Sequence, residues 1–484
     1  MKKEKEKTVL EFAIVGHPNE GKSAVLSTLS EDDSVCVSPT PGETTECRIF
    51  PVTIDGREII RFIDTPGFQN PRQTLAWMRA YDGDDKKMLA GFISSHAQDP
   101  AFHDDCALLA PLDKGAGLIF VVDGSRPLRN IDRAEMEILR LTGRPRLAII
   151  NCKNDDSEYL DDWRHEFRKH FNSIRMFNAN KATYGQRIAL LESLKAIDQD
   201  LQDVIEIVIQ TFIRDWRHRS EQTALVISSL LRETLLYRKI VSCPPGVDEE
   251  RLKNKLRKEF IEFVSKRERM SHQRIRRLFK HNIFNLQLPA QSILQEDLFS
   301  EKTWEFLGLT SGQLIIAGAL SGAALAAALD AAAGGASLGF FAAVGGAIGA
   351  TATALKGKEL LSGARLLGMK LDRQELQIGP VTNIQLLYII LDRALIYYSH
   401  IINWAHGRRD YHDVPAADSQ AEEEAKQGYT TSWPGSERKI CARFFKALQD
   451  DELIAQEQAE DELIGLLTKK LQNISGGASG NGKF

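Results

Sequence analysis

Cysteine is scarce in this sequence, and its positions exclude several classes of protein. The 484 residues contain only six cysteines, and none of them stands in a C-x-x-C pair. A zinc ribbon and a disulfide framework both need closely spaced cysteines, so neither is expected. We interpret the six as reduced thiols of a cytosolic protein, most of them packing residues: Cys36, Cys47, Cys106, Cys152, Cys243 and Cys441.

The sequence predicts no leader segment, and it shows no strong imbalance of charge. Residues 1–7 form a Lys/Glu run with no long apolar stretch behind it, which predicts a protein that is not exported. The formal net charge of −4 indicates no particular class of partner by itself. With 43% hydrophobic and 26% charged residues, the composition is that of a folded chain that is soluble or peripherally bound.

Short apolar runs recur through the first part of the chain. Residues 9–15, 59–63, 118–122 and 147–150 are predicted strands, and a turn rich in Gly, Pro or Asp follows each of them. Buried strands that alternate with helix-compatible segments are typical of a mostly parallel sheet covered by helices. The sequence therefore predicts an α/β domain over residues 1–190.

The remainder of the chain predicts an all-α region. Residues 191–305 are charged segments with a helical period, and residues 306–360 are an Ala/Gly-rich apolar hairpin. Residues 361–484 form a further helical region. Its Gly/Ser-rich tail, from Ser475 onward, is expected to be disordered.

A phosphate-binding motif follows the first predicted strand. Residues 16–23 read Gly-His-Pro-Asn-Glu-Gly-Lys-Ser and match G-x-x-x-x-G-K-[ST]. Glycines let successive backbone N–H groups turn toward phosphate oxygens, at the positive end of the following helix. The lysine of this motif reaches the β- and γ-phosphates, and its hydroxyl ligates Mg²⁺. The predicted nucleotide contacts are Gly16, Asn19, Glu20, Gly21, Lys22, Ser23 and Ala24.

A second motif, D-T-P-G, closes the predicted strand at residues 59–63. Asp64 is placed to hold Mg²⁺ through water, and Gly67 to donate its N–H to the γ-phosphate. Between the two motifs, Thr44 or alternatively Thr45 can complete the shell of the metal ion. The predicted metal ligands are Ser23, Thr44 and Asp64, and the predicted catalytic groups are Lys22, Thr44 and Gly67.

Over residues 8–187, these motifs resemble those of the TrmE–Era–EngA–septin branch of GTPases. In that branch a G-x-P-N-x-G-K-S loop, a P-G-x-T switch and D-T-P-G recur. The resemblance implies a GTPase that binds GTP and GDP with Mg²⁺ as its cofactor. The rest of the chain resembles, in architecture, bacterial GTPases that carry a C-terminal domain of unknown function.

The base-recognition segment departs from the N-K-x-D of the family. After the strand at residues 147–150 the sequence reads Asn-Cys-Lys-Asn-Asp. In one register of the N-K-x-D motif, Asn151 is the motif's Asn and the final Asp is missing. In the other register, Lys153 and Asp155 are the motif's Lys and Asp, and Cys152 replaces the Asn. We prefer the second register for Asp155 and expect Asn151 to help through the loop. Asn178 and Ala179 stand where the family has an S-A-K-like loop, an ordinary turn being the alternative.

The family's catalytic glutamine is also missing. Phe68 occupies the position that holds a water-orienting Gln in many GTPases, and Gln69 stands beside it. Asn19 matches the Asn through which some relatives bind K⁺, which implies hydrolysis stimulated by K⁺ and by formation of a homodimer. The alternative is a slow GTPase that needs a partner protein.

Residues 68–118 predict an extended switch region, whose His96, His103, Asp104 and Asp105 we interpret as loop residues rather than a metal cluster.

The C-terminal half contains two stretches with no charged side chain, residues 306–329 and 331–355, separated by Asp330. Each is long enough to cross a bilayer, and G-x-x-x-G ridges would let the two helices pack. Because Ala and Gly drive insertion only weakly, a soluble, self-associating hairpin is the alternative.

Residues 251–280 carry twelve basic residues against three acidic ones, on a helix with an apolar stripe. This pattern suits an anionic membrane surface. The alternatives are a solvated face packed on neighbouring helices and an RNA-binding face.

Together these features give the hypothesis of a cytoplasmic GTP-operated switch at the inner membrane, whose helical half engages the membrane or a membrane protein. The alternatives are a dynamin-like, self-assembling scaffold and a ribosome-associated assembly GTPase.

Overall fold

The structure is a computed structural model. It describes residues 9–17, 20–30, 47–54, 56–152, 158–178, 184–279, 370–372, 375–403, 428–450 and 452–477, together with residues 294, 298, 299, 303 and 307. The predicted hairpin at residues 306–360 therefore lies, apart from Leu307, outside the described residues.

A six-stranded sheet forms the centre of the N-terminal part. Its strands are β1 (Leu10–Val15), β2 (Arg48–Ile54), β3 (Arg57–Asp64), β4 (Gly117–Asp123), β5 (Arg146–Asn151) and β6 (Ser173–Phe177). Their order is β2-β3-β1-β4-β5-β6, and every neighbouring pair is parallel except β2 with β3. The predicted mostly parallel sheet is thus confirmed. The antiparallel strand β2 lies at the edge, where Pro51 is tolerated.

Helices cover both faces of this sheet because its central strands are apolar on both sides. They are α1 (Lys22–Ser30), α2 (Pro71–Ala80), α3 (Met88–His96), α4 (His103–Asp113), α5 (Asn130–Leu141), α6 (Leu160–His170), α7 (Tyr184–Lys195) and α8 (Gln199–Leu235). Phe12 and Ile14 of β1 face α1, α7 and the first part of α8. Ala13 and Val15 face α2 to α6. This alternation is the period of two that a strand imposes.

Helix α8 joins the two halves of the chain. Val208 and Phe212, in its first part, are buried with the sheet residues Phe12 and Phe62. Ile227 and Leu231, in its second part, are buried in the core of the C-terminal half. At 37 residues the helix is about 55 Å long, so a single rigid element contributes to both cores.

The C-terminal half is a helical region with one small sheet. Its helices are α9 (Glu249–Leu278), α10 (Gln385–Ile402), α11 (Gly435–Ala447) and α12 (Leu453–Gly477). The prediction of a helical C-terminal region is confirmed, but the expectation that it is purely helical needs correction. Strands β7 (Lys239–Ser242), β8 (Lys370–Asp372) and β9 (Glu375–Ile378) form an antiparallel sheet in the order β7-β9-β8.

The predicted start of the disordered tail at Ser475 is also wrong. Helix α12 continues through Gly477, because Ile474 packs against the C-terminal core and Ser475 is buried. The Ser475 hydroxyl donates to the carbonyl of Gln472 at 2.8 Å. Residues 478–484 lie outside the described residues.

Among the helices that the structure describes in this half, α10 is the most deeply buried, and its Leu387, Ile390 and Leu395 are fully buried. Among the residues that the structure describes, no helix combines the length and the apolar character needed to cross a membrane.

Asp392 is a fully buried carboxyl group in α10. Its two oxygens accept hydrogen bonds from the backbone N–H and the hydroxyl of Thr430, each at 2.7 Å. Burial raises the pKa of Asp392 from 3.8 to about 7, and the bonds from Thr430 only partly oppose that effect. Because the folded pKa lies above the unfolded one, protonation of Asp392 stabilises the fold at acid pH. This contribution is fully present below about pH 4 and is lost as the pH rises from about 4 to about 7.

We therefore expect Asp392→Asn to be more stable than the wild type at pH 8, by up to roughly 4 kcal/mol, and to lose most of that advantage at pH 5. The reason is that Asn remains neutral and can still accept from the Thr430 N–H. The measurement is the unfolding temperature of both proteins across this pH range. An equal deficit of the variant at both pH values would contradict the assignment.

Candidate functional site

The loop after β1 is shaped by two glycines. Gly16 has φ +149°, and a Cβ there would lie 2.2 Å from the carbonyl oxygen of Val121 in β4, so no side chain fits. Gly21 has φ +95°, in the left-handed region that favours glycine, and α1 begins directly after it at Lys22. The loop is therefore held against the carboxyl end of β4 with the N-terminus of a helix behind it.

Lys22 curls back over this loop. Its Nζ donates to the carbonyl oxygen of Gly16 at 2.7 Å and to that of His17 at 2.9 Å. Burial lowers the pKa of Lys22, and the carboxylates of Asp64, Glu135 and Glu20 oppose this by favouring the charged form. The ammonium group is thus fixed in position and surrounded by acidic side chains.

Asp64 comes to the same edge of the sheet through the pairing of β3 with β1. The register places Asp64 opposite Ile14, and the Thr65 hydroxyl donates to the Ile14 carbonyl at 2.8 Å. In open parallel sheets, ligands bind at this carboxyl edge. The predicted site residues that the structure brings to this edge are Gly16, Glu20, Gly21, Lys22, Ser23, Ala24, Asp64 and Gly67.

Asn151 ends β5 and reaches the loop from the neighbouring strand. Its Nδ2 donates to the backbone carbonyl of Glu20 at 3.1 Å, and the residue is 1% exposed. Asn178 directly follows β6, where the Phe177 carbonyl accepts from the Cys152 N–H at 2.9 Å. The start of the base-recognition segment is therefore joined to the loop. The predicted residues Asn19, Thr44, Thr45, Lys153, Asp155 and Ala179 lie outside the described residues.

The carboxylate of Glu20 takes part in a charged network that sequence reasoning missed. It accepts hydrogen bonds from the backbone N–H of Asp123 and from the Arg126 guanidinium. Arg126 also donates to both oxygens of Asp132 in α5, at 2.9 and 3.0 Å. Only the acidic residue inside an otherwise ordinary loop motif hints at this network in the sequence.

His17 meets the same helix. Its Nε2 lies 3.3 Å from an Asp132 oxygen and 3.0 Å from an oxygen of Glu135. Burial raises the pKa of Glu135 well above its ordinary value, with Asp132 adding to the effect and Lys22 opposing it. Arg129 shares Asp132 with Arg126, at 3.1 Å. Asp132 is therefore already fully engaged by arginines.

The predicted extended switch region contains α2, α3 and α4. Buried Asp105 of α4 accepts from the backbone N–H groups of Gln69 and Asn70, at 2.8 and 3.1 Å, and from the Thr74 hydroxyl at 2.7 Å. It thereby fixes the segment that follows the D-T-P-G motif. His96 stacks on Phe92, with ring centroids 4.3 Å apart. A sequence pattern alone gives no signal for the role of Asp105, because its partners lie more than thirty residues away.

Two family models match this chain. The model described as "50S ribosome-binding GTPase" matches residues 11–152, and the model described as "Domain of unknown function (DUF3482)" matches residues 164–469. Among curated relatives, a probable GTP-binding protein EngB of Dechloromonas aromatica is 27% identical over 193 residues, which cover 39% of this chain and 73% of that protein. GTPase Era of Clostridioides difficile is 26% identical over 256 residues, covering 52% and 74%.

Solved structures also match. Era in complex with MgGDPNP and a segment of 16S ribosomal RNA has a TM-score of 0.27 at 18% identity, over 56% of this chain and 89% of that one. A mutant S. thermophilus NFeoB bound to GMPPNP has a TM-score of 0.25 at 19% identity, over 39% and 62%.

The sheet, the loop and the sequence matches together define the class of this protein: it is a P-loop GTPase of the Era type with a C-terminal domain of unknown function. Because the second model covers more than half of the chain, the protein belongs to the DUF3482 family.

Proposed function

We propose that this GTPase is a switch in which GTP binding and hydrolysis reorder the loops around Thr44 and residues 64–68, and so change how the C-terminal half engages an anionic membrane surface. The observation that carries the proposal is the shared helix α8, which is buried both against the sheet and in the C-terminal core. A shift at the nucleotide site therefore has a direct structural path to the C-terminal helices.

The nucleotide would lie on the loop after β1. Lys22, fixed by the carbonyls of Gly16 and His17, would neutralise the β- and γ-phosphates. The Gly67 N–H would sense the γ-phosphate, and Thr44 would close over it. Asp155 and Lys153 would contact guanine, while the bond from Asn151 to Glu20 supports a role for Asn151 in joining the base segment to the loop. The further contacts proposed are Asn19, Gly21, Ser23, Ala24, Asn178 and Ala179.

The donor set suits Mg²⁺, a hard cation that takes oxygen ligands. Ser23 and Thr44 offer hydroxyls and Asp64 a carboxylate. Asp64 is 5% exposed and lies near enough to Lys22 to favour its charged form. These three residues would hold the ion, which when bound neutralises charge on the phosphates.

The charge of α9 supports the choice of an anionic surface. Six exposed basic residues lie on one face of this helix and span about 39 Å; we call them the basic stripe: Arg251, Lys255, Lys258, Lys266, Arg269 and Arg277. The apolar side chains Leu256, Phe260 and Val264 are buried in the C-terminal core. The proposed contact of α9 with a membrane is therefore electrostatic, and insertion would fall to the two uncharged stretches, residues 306–329 and 331–355.

A ribosomal partner is the second candidate. The model that matches residues 11–152 is described as a ribosome-binding GTPase, and the same basic stripe could follow RNA phosphates. Charge-reversal variants of the basic stripe, tested with vesicles and with ribosomes, distinguish a ribosomal partner from a membrane partner.

Lys22→Ala should weaken binding of both GTP and GDP at least 100-fold, because it removes the fixed cation of the loop. Fluorescent-nucleotide titration measures the affinity. The matched control is Lys169→Ala, which removes an exposed lysine at the end of α6. Retained binding or hydrolysis in Lys22→Ala would refute the proposed site.

We also propose that Asn19 holds a K⁺ ion against the phosphates, where it would act as an arginine finger does in other GTPases. GTP turnover should then be several-fold faster in KCl than in NaCl of equal ionic strength. Asn19→Ala should remove that difference between the salts. Equal wild-type rates in the two salts would rule out the ion.

The triple variant Lys255→Glu/Lys266→Glu/Arg269→Glu should bind anionic vesicles at least about two orders of magnitude more weakly than wild type, since each lost surface cation contributes about 1 kcal/mol and each new carboxylate is repelled. Co-sedimentation with phosphatidylglycerol vesicles, and with neutral phosphatidylcholine vesicles, measures this. The control, Lys439→Glu/Lys446→Glu/Lys469→Glu, makes the same change in charge at exposed positions of α11 and α12.

Equal binding of the two triple variants to anionic vesicles would contradict a role for the basic stripe. If wild type sediments with ribosomes and not with vesicles, and only the stripe variant loses that binding, the second candidate replaces the first.

A further inference from the structure

Glu20 places a buried carboxyl group inside the loop proposed to bind phosphates. Burial raises the pKa of Glu20, and the Arg126 guanidinium opposes this effect by favouring the charged carboxylate. The residue is 4% exposed, and it lies near enough to Lys22 to favour the charged form of that lysine. A nucleotide triphosphate is itself strongly anionic. At an effective dielectric of about 20, two like charges about 8 Å apart repel by roughly 2 kcal/mol. An uncompensated carboxylate at this position would therefore weaken nucleotide binding.

Arg126 is positioned to cancel this charge. Its guanidinium donates to Glu20, and among the residues that the structure describes it is the one arginine or lysine in a salt bridge with Glu20. Asp132, by contrast, is shared between Arg126 and Arg129. Loss of Arg126 would thus leave Glu20 without a salt bridge while Asp132 keeps one.

The position of Arg126 is fixed by packing as well as by charge. Its guanidinium lies 4.9 Å from the centre of the Trp163 ring, and its backbone carbonyl accepts from the Trp163 indole N–H at 2.8 Å. Trp163 is fully buried in α6. A cation held in this way needs no rearrangement when the nucleotide arrives.

The backbone of Glu20 is also held, because its carbonyl accepts from Asn151. The carboxylate meanwhile accepts from the Asp123 N–H at the end of β4. One loop residue is thus joined to the ends of two strands, and Arg126 neutralises the charge that this arrangement brings into the site.

We propose that Arg126 is a positioning residue for nucleotide binding: by pairing with Glu20 it cancels the one negative charge of the phosphate-binding loop. This inference rests on the proposed nucleotide site. It assigns Arg126 to affinity and not to the chemical step, because the residue acts on the nucleotide only through Glu20.

The test compares Arg126→Met, Glu20→Gln and the double variant Glu20→Gln/Arg126→Met by titration with fluorescent GDP and a non-hydrolysable GTP analogue. Arg126→Met should bind at least 10-fold more weakly, with a larger loss for the triphosphate than for the diphosphate. Glu20→Gln alone should bind somewhat more tightly than wild type.

The double variant should recover most of the lost affinity, since it contains neither member of the charge pair. A purely structural role of Arg126 predicts the opposite, with the double variant as weak as Arg126→Met. That result would overturn the proposal. Arg126→Lys keeps the positive charge and should retain most of the nucleotide affinity. This variant provides a second test of the proposal if Arg126→Met folds poorly.

Arg129→Met is the matched control. It removes an arginine that pairs with Asp132 and not with Glu20, and it should bind nucleotide as wild type does. Equal losses in Arg129→Met and Arg126→Met would also overturn the proposal. If Lys22→Ala abolishes binding while Arg126→Met does not affect it, the nucleotide site stands and only the role of Arg126 fails.

Discussion

The burial of one helix in two hydrophobic cores is the constraint on which the architecture depends. Phe212 of α8 packs with the sheet that holds the phosphate-binding loop, and Leu231, five turns further along, packs in the C-terminal core. Close-packed interiors respond to displacement by shifting between discrete packings rather than by deforming smoothly. A movement of the sheet face against α8 must therefore be accommodated among the C-terminal helices, which gives the two halves a physical reason to act together.

Charge balance around the loop is the second organising feature. Lys22 is surrounded by Asp64, Glu135 and Glu20, so its positive charge is partly offset before any phosphate arrives. Arg126 forms salt bridges with both Glu20 and Asp132, and it thereby offsets part of the negative charge of these carboxylates. Helix α5, which carries Asp132 and Glu135, also contacts α2 through the pair Glu137–Arg79 at 3.6 Å. The acidic residues of α5 thus connect the loop with the helix that follows the D-T-P-G motif.

The sequence predicted those parts of the fold that local pattern encodes. Strands such as β4 are continuous apolar runs, and the phosphate loop is a contiguous motif, so both could be recognised without knowledge of tertiary contacts. Strand β7 could not be recognised in this way, because its four residues pair with β9, which lies more than a hundred residues later in the chain. The same holds for Asp105 and for the pairing of Glu20 with Arg126. In each case the partner is defined by the packing of helices on the sheet, which a linear pattern does not record.

Helix α9 shows how packing changes the meaning of a sequence pattern. Its basic and apolar residues predicted an amphipathic helix suited to an anionic membrane surface. In the structure that side is buried against the C-terminal core, and Arg267 pairs with Glu233 of α8 at 2.9 Å. What remains exposed for the proposed partner is charge, so the proposed binding through α9 would be sensitive to salt. Because α9 packs directly on α8, a displacement that starts at the nucleotide site and follows α8 would reach the basic stripe with no further element in between.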